Sequence, residues 1–211
     1  MVMLEVTMKN RPCLVVGGGA VAERRIGLLL ADDADIIVIS PVVTDTIEKW
    51  AENGEINLVR EGYEKGQLTQ ADFVVVATDS PMLNKQCAEE AREMGALVNR
   101  ADDNDDCDFV FPMTVREGAL TVAVAGDKAS PRLLKLVGQD IRQRYRLVAA
   151  IMPALKEIRN EVKLLLPTSK ERQVFWRKHF GEAELTQIIE GKWKLVEEKV
   201  RYAVSRIGIK P

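Results

Sequence analysis

Histidine is nearly absent from this chain: His179 is the single one. It sits beside Lys178 and Phe180. A lone imidazole without a Cys or carboxylate partner is a poor metal site, so no metal site is expected and His179 reads as a surface or core residue. Cysteine is scarce as well. Cys13, Cys87 and Cys107 show no metal-ligand spacing and form an odd set, which argues against a disulfide framework and for a reducing cytoplasm. No run approaches the roughly 18 apolar residues of a membrane span. The N-terminus lacks the charged start and long apolar stretch of a signal peptide. The expected location is therefore cytoplasmic, with no membrane partner. Excess charge of one sign is also missing. Lys+Arg is 30 against 32 for Asp+Glu, a net charge of −2, which excludes a general nucleic-acid binder. Internal repeats and low-complexity segments are absent.

What is present is a core. The chain has 211 residues, 46% of them apolar, enough for one large domain or two small ones. The most informative stretch is Cys13-Leu14-Val15-Val16-Gly17-Gly18-Gly19-Ala20-Val21-Ala22-Glu23-Arg24-Arg25. An apolar run breaks into three glycines and a helical pattern follows at once. The spacing is G-x-G-x-x-A, with Gly17, Gly19 and Ala22 in the small positions. Gly17 allows the tight turn, Gly19 lets a pyrophosphate approach the backbone, and Ala22 lets helix and strand pack closely. The free N–H groups of the helix start face the phosphates. The competing reading is a Gly-rich turn in an α/β fold that holds no nucleotide.

The first hundred residues alternate strand and helix signals. Leu14–Val16, Ile36–Ile39, Ile56–Val59, Phe73–Ala77 and Leu97–Val98 read as buried parallel strands. Val21–Ala31, Thr44–Asn53 and Met82–Met94 read as helices, with Gly54 and Gly95 at their ends. This alternation predicts a Rossmann-like α/β domain with a doubly wound parallel sheet over 1–112. A strand-plus-helix segment is expected over 113–146. Its strands are Phe109–Phe111 and Leu120–Ala125, its turn is Arg116-Glu117-Gly118, and Ser130-Pro131 opens its helix. A helical C-terminal domain is expected over 147–211, broken by Pro153 and Pro167, with a capping box at Thr168–Glu171. A helical segment that cannot close its own core often does so against a second copy, which points to a homodimer.

The second strand ends in Ser40-Pro41-Val42-Val43, where a Rossmann domain usually has Asp or Glu for the ribose. That carboxylate is missing, and no Arg beside it would hold a 2′-phosphate. Ser40 and the backbone near Pro41 and Val42 remain candidate ribose contacts, and a simple helix-entry turn is the alternative. The fourth strand ends in Ala77-Thr78-Asp79-Ser80. Thr78 and Asp79 either touch a cofactor, or Asp79 or Ser80 caps the next helix. The fifth strand leads into Asn99-Arg100-Ala101-Asp102-Asp103-Asn104-Asp105-Asp106-Cys107-Asp108. Most of these carboxylates read as a solvated loop. Asp102 differs by position: it follows a strand's carboxyl end, where a carboxylate accepts a proton while hydride leaves a substrate. The D-D and N-D runs do not match a calcium loop.

Val15–Arg25, Ala77-Thr78-Asp79, Asn99-Arg100-Ala101-Asp102-Asp103 with Cys107-Asp108-Phe109-Val110-Phe111-Pro112, and Ala129-Ser130-Pro131 together resemble the precorrin-2 dehydrogenase family, the dehydrogenase/ferrochelatase module of siroheme synthase. The N-x-x-D-D followed by C-D-F-x-F-P is the specific part. The resemblance implies NAD-dependent oxidation of precorrin-2 to sirohydrochlorin in siroheme synthesis, with insertion of Fe²⁺ in some members. It places the essential aspartate on Asp102 and the nucleotide contacts on Gly17, Gly18, Gly19, Ala20, Val21, Ser40, Pro41 and Val42. It also implies an intertwined homodimer. The loop Ala125–Pro131 departs from the family's hydroxyl-rich form, which bears on chelation. A tetrapyrrole with eight carboxylates needs cations around it. Arg24, Arg25, Arg100, Arg116, Lys128, Arg132 and Lys135 are candidates, with solvated surface charge as the alternative for each. Three other readings stay open: a non-catalytic NAD-sensing module, a dehydrogenase for another small anion, and a helical tail that docks a neighbouring enzyme.

Overall fold

The computed structural model describes residues 2–68, 70–126 and 130–208. The chain divides into two compact units, Met1–Phe111 and Pro112–Pro211. In the first, strands β1 (Pro12–Val16), β2 (Asp35–Ile39), β3 (Asn57–Val59), β4 (Phe73–Val76) and β5 (Leu97–Arg100) alternate with helices α1 (Ala20–Leu30), α2 (Asp45–Glu52) and α3 (Pro81–Glu93). The sheet order is β3-β2-β1-β4-β5, and every pairing is parallel. This is the Rossmann-like arrangement expected from the alternation of Val/Ile runs with helical periods.

Strand side chains alternate between two buried layers, as a two-fold period demands. Cys13, Val15, Ile36, Val38, Phe73 and Val75 pack with Ala22, Ile26 and Leu29 of α1. Leu14, Val16, Ile39, Val74, Val76 and Val98 pack with Cys87, Ala88 and Ala91 of α3. Burial pushes the Cys13 and Cys87 thiols up to about 12, with nearby carboxylates adding to the effect, so both remain protonated.

Three expectations of local structure are corrected. Phe109–Phe111 is not a strand. Its rings instead fold under α1, with Phe109 in edge-to-face contact with both Phe73 and Phe111, each at 5.4 Å between centroids. Aromatic burial there outweighs the β-propensity of the tripeptide. The turn expected at Arg116-Glu117-Gly118 lies one step later. Arg116 and Glu117 belong to β6 (Met113–Glu117), which pairs antiparallel with β7 (Leu120–Val124) around Gly118 and Ala119. Pro153 does not break its helix: α4 runs unbroken over 35 residues, Pro131–Leu165. Proline removes one backbone donor. Ala149 and Ile151 before it and Ile158 and Val162 after it are buried, and that packing carries the helix through.

The boundary expected at 146/147 falls inside α4. Helices α5 (Ser169–His179), α6 (Glu182–Ile189) and α7 (Trp193–Ser205) follow. Ile158, Val162, Phe175, Ile188, Val196 and Val200 close a core among α4 to α7. Thr168 caps α5 through a complete capping box with Glu171. His179 ends α5 with its ring 4.9 Å from that of Phe175. Among the described residues no helix is long and apolar enough to cross a membrane, and no group of three or more His, Cys, Asp or Glu could hold a metal ion.

Candidate functional site

The sheet reverses its winding between β1 and β4, so a crevice opens at their carboxyl ends. Gly17 and Ala77, the residues that follow these strands, meet there. A Cβ on Gly17 would lie 2.3 Å from the Ala77 carbonyl oxygen, and Gly17 has φ +116°. Glycine is required on both counts. Gly18 is pinned from the other side: a Cβ would lie 2.2 Å from the Val42 oxygen. Gly19 differs, because a Cβ built on it meets nothing within 4 Å. It is the N-cap of α1, with no side-chain cap on the helix amides. Those amides therefore front open space, the shape and polarity that a pyrophosphate fills.

That space is a cleft of about 580 Å³ lined by Gly17, Gly18, Gly19, Ser40, Pro41, Val42, Thr78 and Asp79 among others. Eight of the sequence-predicted residues thus share one cavity. Ala20, Val21 and Asp102 are not part of its lining. Ala20 and Val21 contribute as the first exposed turn of α1. The Ser40 hydroxyl donates to the Val42 carbonyl at 2.7 Å, which locks the turn after β2. Ser80 caps α3 by accepting from the Leu83 amide, so Asp79 remains exposed beside the cleft. Tyr63 and Leu83 also line the cleft and were not predicted. Tyr63 lies in an irregular segment, where periodicity carries no signal. Among the described lining residues none is Lys or Arg, so the second-strand end offers no cation to a 2′-phosphate.

Asn84 was also missed. It is completely buried in α3 and clamps the end of β4. Its Oδ1 accepts from the Thr78 amide at 3.2 Å and from the Thr78 hydroxyl at 2.6 Å, while its Nδ2 donates to the Thr78 carbonyl at 3.1 Å. Its side chain also acts on Asp102, helping to lower that carboxyl. Thr78 in the cleft wall and Asp102 beyond it are thereby tied to one buried side chain. No sequence signal marks a buried Asn three residues into a helix.

The acidic loop is not simply solvated. Arg100, its side chain 7% exposed, holds Asp102 through Nη2 at 2.7 Å and Nε at 3.3 Å, and Asp106 through Nη1 at 2.6 Å. Arg92 holds Asp106 at 2.7 Å and Asp108 at 3.0 Å. The loop then folds back along β5. The Val98 amide donates to Asp108 at 3.0 Å, and Asn99 Nδ2 donates to the Phe109 carbonyl at 2.8 Å. Cys107 Sγ accepts from the Arg100 amide at 3.2 Å and faces the Arg100 and Asp103 carbonyls at 3.3 Å. Much of the N-x-x-D-D…C-D-F pattern is therefore the closure of this loop.

Partial burial pushes the Asp102 carboxyl up, but its bonds to Arg100 and Asn84 outweigh that and hold it below the ordinary range. Asp106 is lowered by Arg100 first and Arg92 next. Both folded values are depressed, so these pairs stabilise the protein above the unfolded value of about 3.9 and lose that effect as pH falls through the lower folded values. Removing the shared cation should show this. Arg100→Met is expected to lower stability by about 2 kcal/mol at neutral pH and to move the onset of acid unfolding upward. Thermal melts of both proteins from pH 3 to 8 measure it, and parallel curves would refute the role of Arg100.

The remaining predicted cations scatter. Arg24, Arg116, Arg132 and Lys135 are exposed, Arg25 is buried, and Arg100 is engaged in the pairs above. Lys128, with Asp127 and Ala129 of the Ala125–Pro131 loop, lies outside the described residues.

Residues 4–113 match a family profile described as "Putative NAD(P)-binding". The chain is similar to Siroheme synthase 1 of Serratia proteamaculans, 32% identical over 88% of this chain and 39% of the relative. It is also similar to the siroheme synthase of Zymomonas mobilis subsp. mobilis, 30% identical over 90% of this chain and 41% of the relative. The chain thus spans about two fifths of the length of these curated relatives. Among solved structures it is similar to "SirC, precorrin-2 dehydrogenase", with TM-score 0.76 and 26% identity, covering 96% of this chain and 100% of that one.

Proposed function

The chain belongs to that NAD(P)-binding family, and from this premise we propose that it oxidises precorrin-2 to sirohydrochlorin with NAD⁺. The observation that carries the reading is the open cradle at Gly19, which faces bare helix amides and lies in one cleft with Ser40, Thr78 and Asp79. Full-length likeness to a precorrin-2 dehydrogenase supports the substrate.

When bound, NAD⁺ supplies the hydride acceptor. The chain does the rest. The α1 amides and the Gly17–Gly19 turn hold the pyrophosphate. The cleft edge at Ser40, Pro41 and Val42 takes the ribose, and the absence of a cation there favours NAD over NADP. Thr78 and Asp79 border the path toward β5. Asp102 is the catalytic carboxylate. It stands at the carboxyl end of β5, ionised and oriented by Arg100 and Asn84. As the substrate loses a hydride to the cofactor, it also loses a proton, and Asp102 accepts that proton or stabilises the ring cation from which it departs. Loss of one hydride and one proton balances the two-electron oxidation.

A homodimer fits the same reading. Leu133, Leu136 and Val137 recur at i, i+3 and i+4 on the first turns of α4 and are 58%, 45% and 37% exposed. Sedimentation should give a species of twice the 23.6 kDa chain mass.

The deciding assay mixes purified protein with precorrin-2 and NAD⁺ and follows NADH and sirohydrochlorin by absorbance. Turnover is expected. NAD⁺ binding without turnover would favour a sensing module instead. Repeating the assay with Fe²⁺ and sirohydrochlorin reads chelation, with iron as substrate.

A further inference from the structure

Arg25 lies on the inner face of α1 with Ala22, Ile26 and Leu29, and is 6% exposed. Its Nε and Nη1 are buried and find no hydrogen-bond acceptor among the described residues. Its neighbours are Phe111, whose ring centroid is 5.9 Å from the guanidinium carbon, and the Cys107 thiol. Among the described residues, the charges acting on it are those of Arg24 and Cys107. Arg92 and Arg100, by contrast, are paired, taking Asp102, Asp103, Asp106 and Asp108 between them. A buried cation with unfilled donors is costly in a folded protein. An isolated one persists where an anion completes it.

The geometry also says where that anion comes from. Arg25 does not line the nucleotide cleft, which opens in front of the helix start at Gly19. The Cys107 thiol acts on it electrostatically, and Cys107 closes the loop that carries Asp102 and Asp103. Arg25 is thus linked to the acidic loop rather than to the nucleotide cleft. A second buried atom with no partner among the described residues, Asn99 Oδ1, adds polarity at the same loop. A water molecule brings no countercharge to such a cation.

We infer that Arg25 is a buried anion site that takes one carboxylate arm of the tetrapyrrole substrate. The inference rests on the precorrin-2 reading above. It makes a pair of predictions that no purely structural role shares. Arg25→Met removes an uncompensated charge and keeps the aliphatic stem, so the free protein should melt higher by about 2–5 °C. The same variant should raise KM for precorrin-2 at least tenfold, leave the NAD⁺ Kd within twofold, and weaken sirohydrochlorin binding in parallel. Arg25→Lys keeps the charge and loses the fork, so its KM should fall between the two.

The experiment measures, for wild type and both variants, the melting temperature without ligand, the NAD⁺ Kd, the sirohydrochlorin Kd and the precorrin-2 kinetics. Unchanged precorrin-2 KM in Arg25→Met overturns the inference. So does a fall in melting temperature or a failure to fold, since either assigns Arg25 to structure. An NAD⁺ Kd that rises as much as the KM moves the anion to the cofactor's phosphates and also overturns it. Wild-type protein that neither oxidises precorrin-2 nor binds sirohydrochlorin would instead sink the functional reading, and the inference with it.

Discussion

Asp102→Ala is expected to lower kcat for precorrin-2 oxidation by about a thousandfold while leaving NAD⁺ affinity unchanged. The two readouts separate because Asp102 is absent from the lining of the nucleotide cleft. Its carboxylate is held instead by Arg100, at 2.7 Å from Nη2. Asp102→Asn refines the result. The amide keeps the size and an acceptor for Arg100 but loses the charge. A loss as large as that of Asp102→Ala assigns the effect to the charge, and recovered turnover assigns it to shape. Arg100 also fixes the pH behaviour. Because it holds the folded Asp102 carboxyl below the ordinary carboxylate range, titration of this carboxylate should not limit the rate near neutral pH. In Arg100→Met the acid limb should move upward. Wild-type turnover in Asp102→Ala would end the catalytic assignment.

Two glycines two residues apart should fail in different ways. Gly17→Ala meets the Ala77 carbonyl at 2.3 Å and must adopt φ +116°. Neither the backbone neighbour nor the left-handed conformation can yield cheaply, so a loss of about 3 kcal/mol or more is expected, together with loss of NAD⁺ binding. Gly19→Ala meets nothing within 4 Å, and its φ of −81° suits any residue. The free protein should therefore melt at or slightly above the wild-type temperature. Its methyl group would stand where the pyrophosphate approaches, at an overpacking cost of about 1–3 kcal/mol, or roughly a 5- to 150-fold loss in affinity. Calorimetry of both variants with and without NAD⁺ tests the pair. Normal NAD⁺ affinity in Gly19→Ala would remove the cofactor from this turn.

The sheet was legible because β1, β2 and β4 are Val- and Ile-rich runs buried on both faces, which leaves a signal in the composition itself. The glycine turn was legible because its spacing states a steric requirement. What was not legible depends on partners distant in sequence. Phe109–Phe111 reads as a strand until Phe73 and α1 give its rings a place to pack. Pro153 reads as a break until buried neighbours hold the helix around it. The acidic loop reads as solvated until Arg92, fourteen residues before Asp106, folds across it. Asn84 carries no local mark, because its value lies in having Thr78 on one side and Asp102 on the other.

Cys107 lets one sulfur serve as acceptor for an amide and donor to carbonyls at the hinge of the acidic loop. Bulk attached to that sulfur would prise the loop from β5 and carry Arg100 and Asp102 with it. A mercurial that modifies Cys107 would thus silence the chemistry from behind while the coenzyme still binds, making thiol poisoning noncompetitive with NAD⁺.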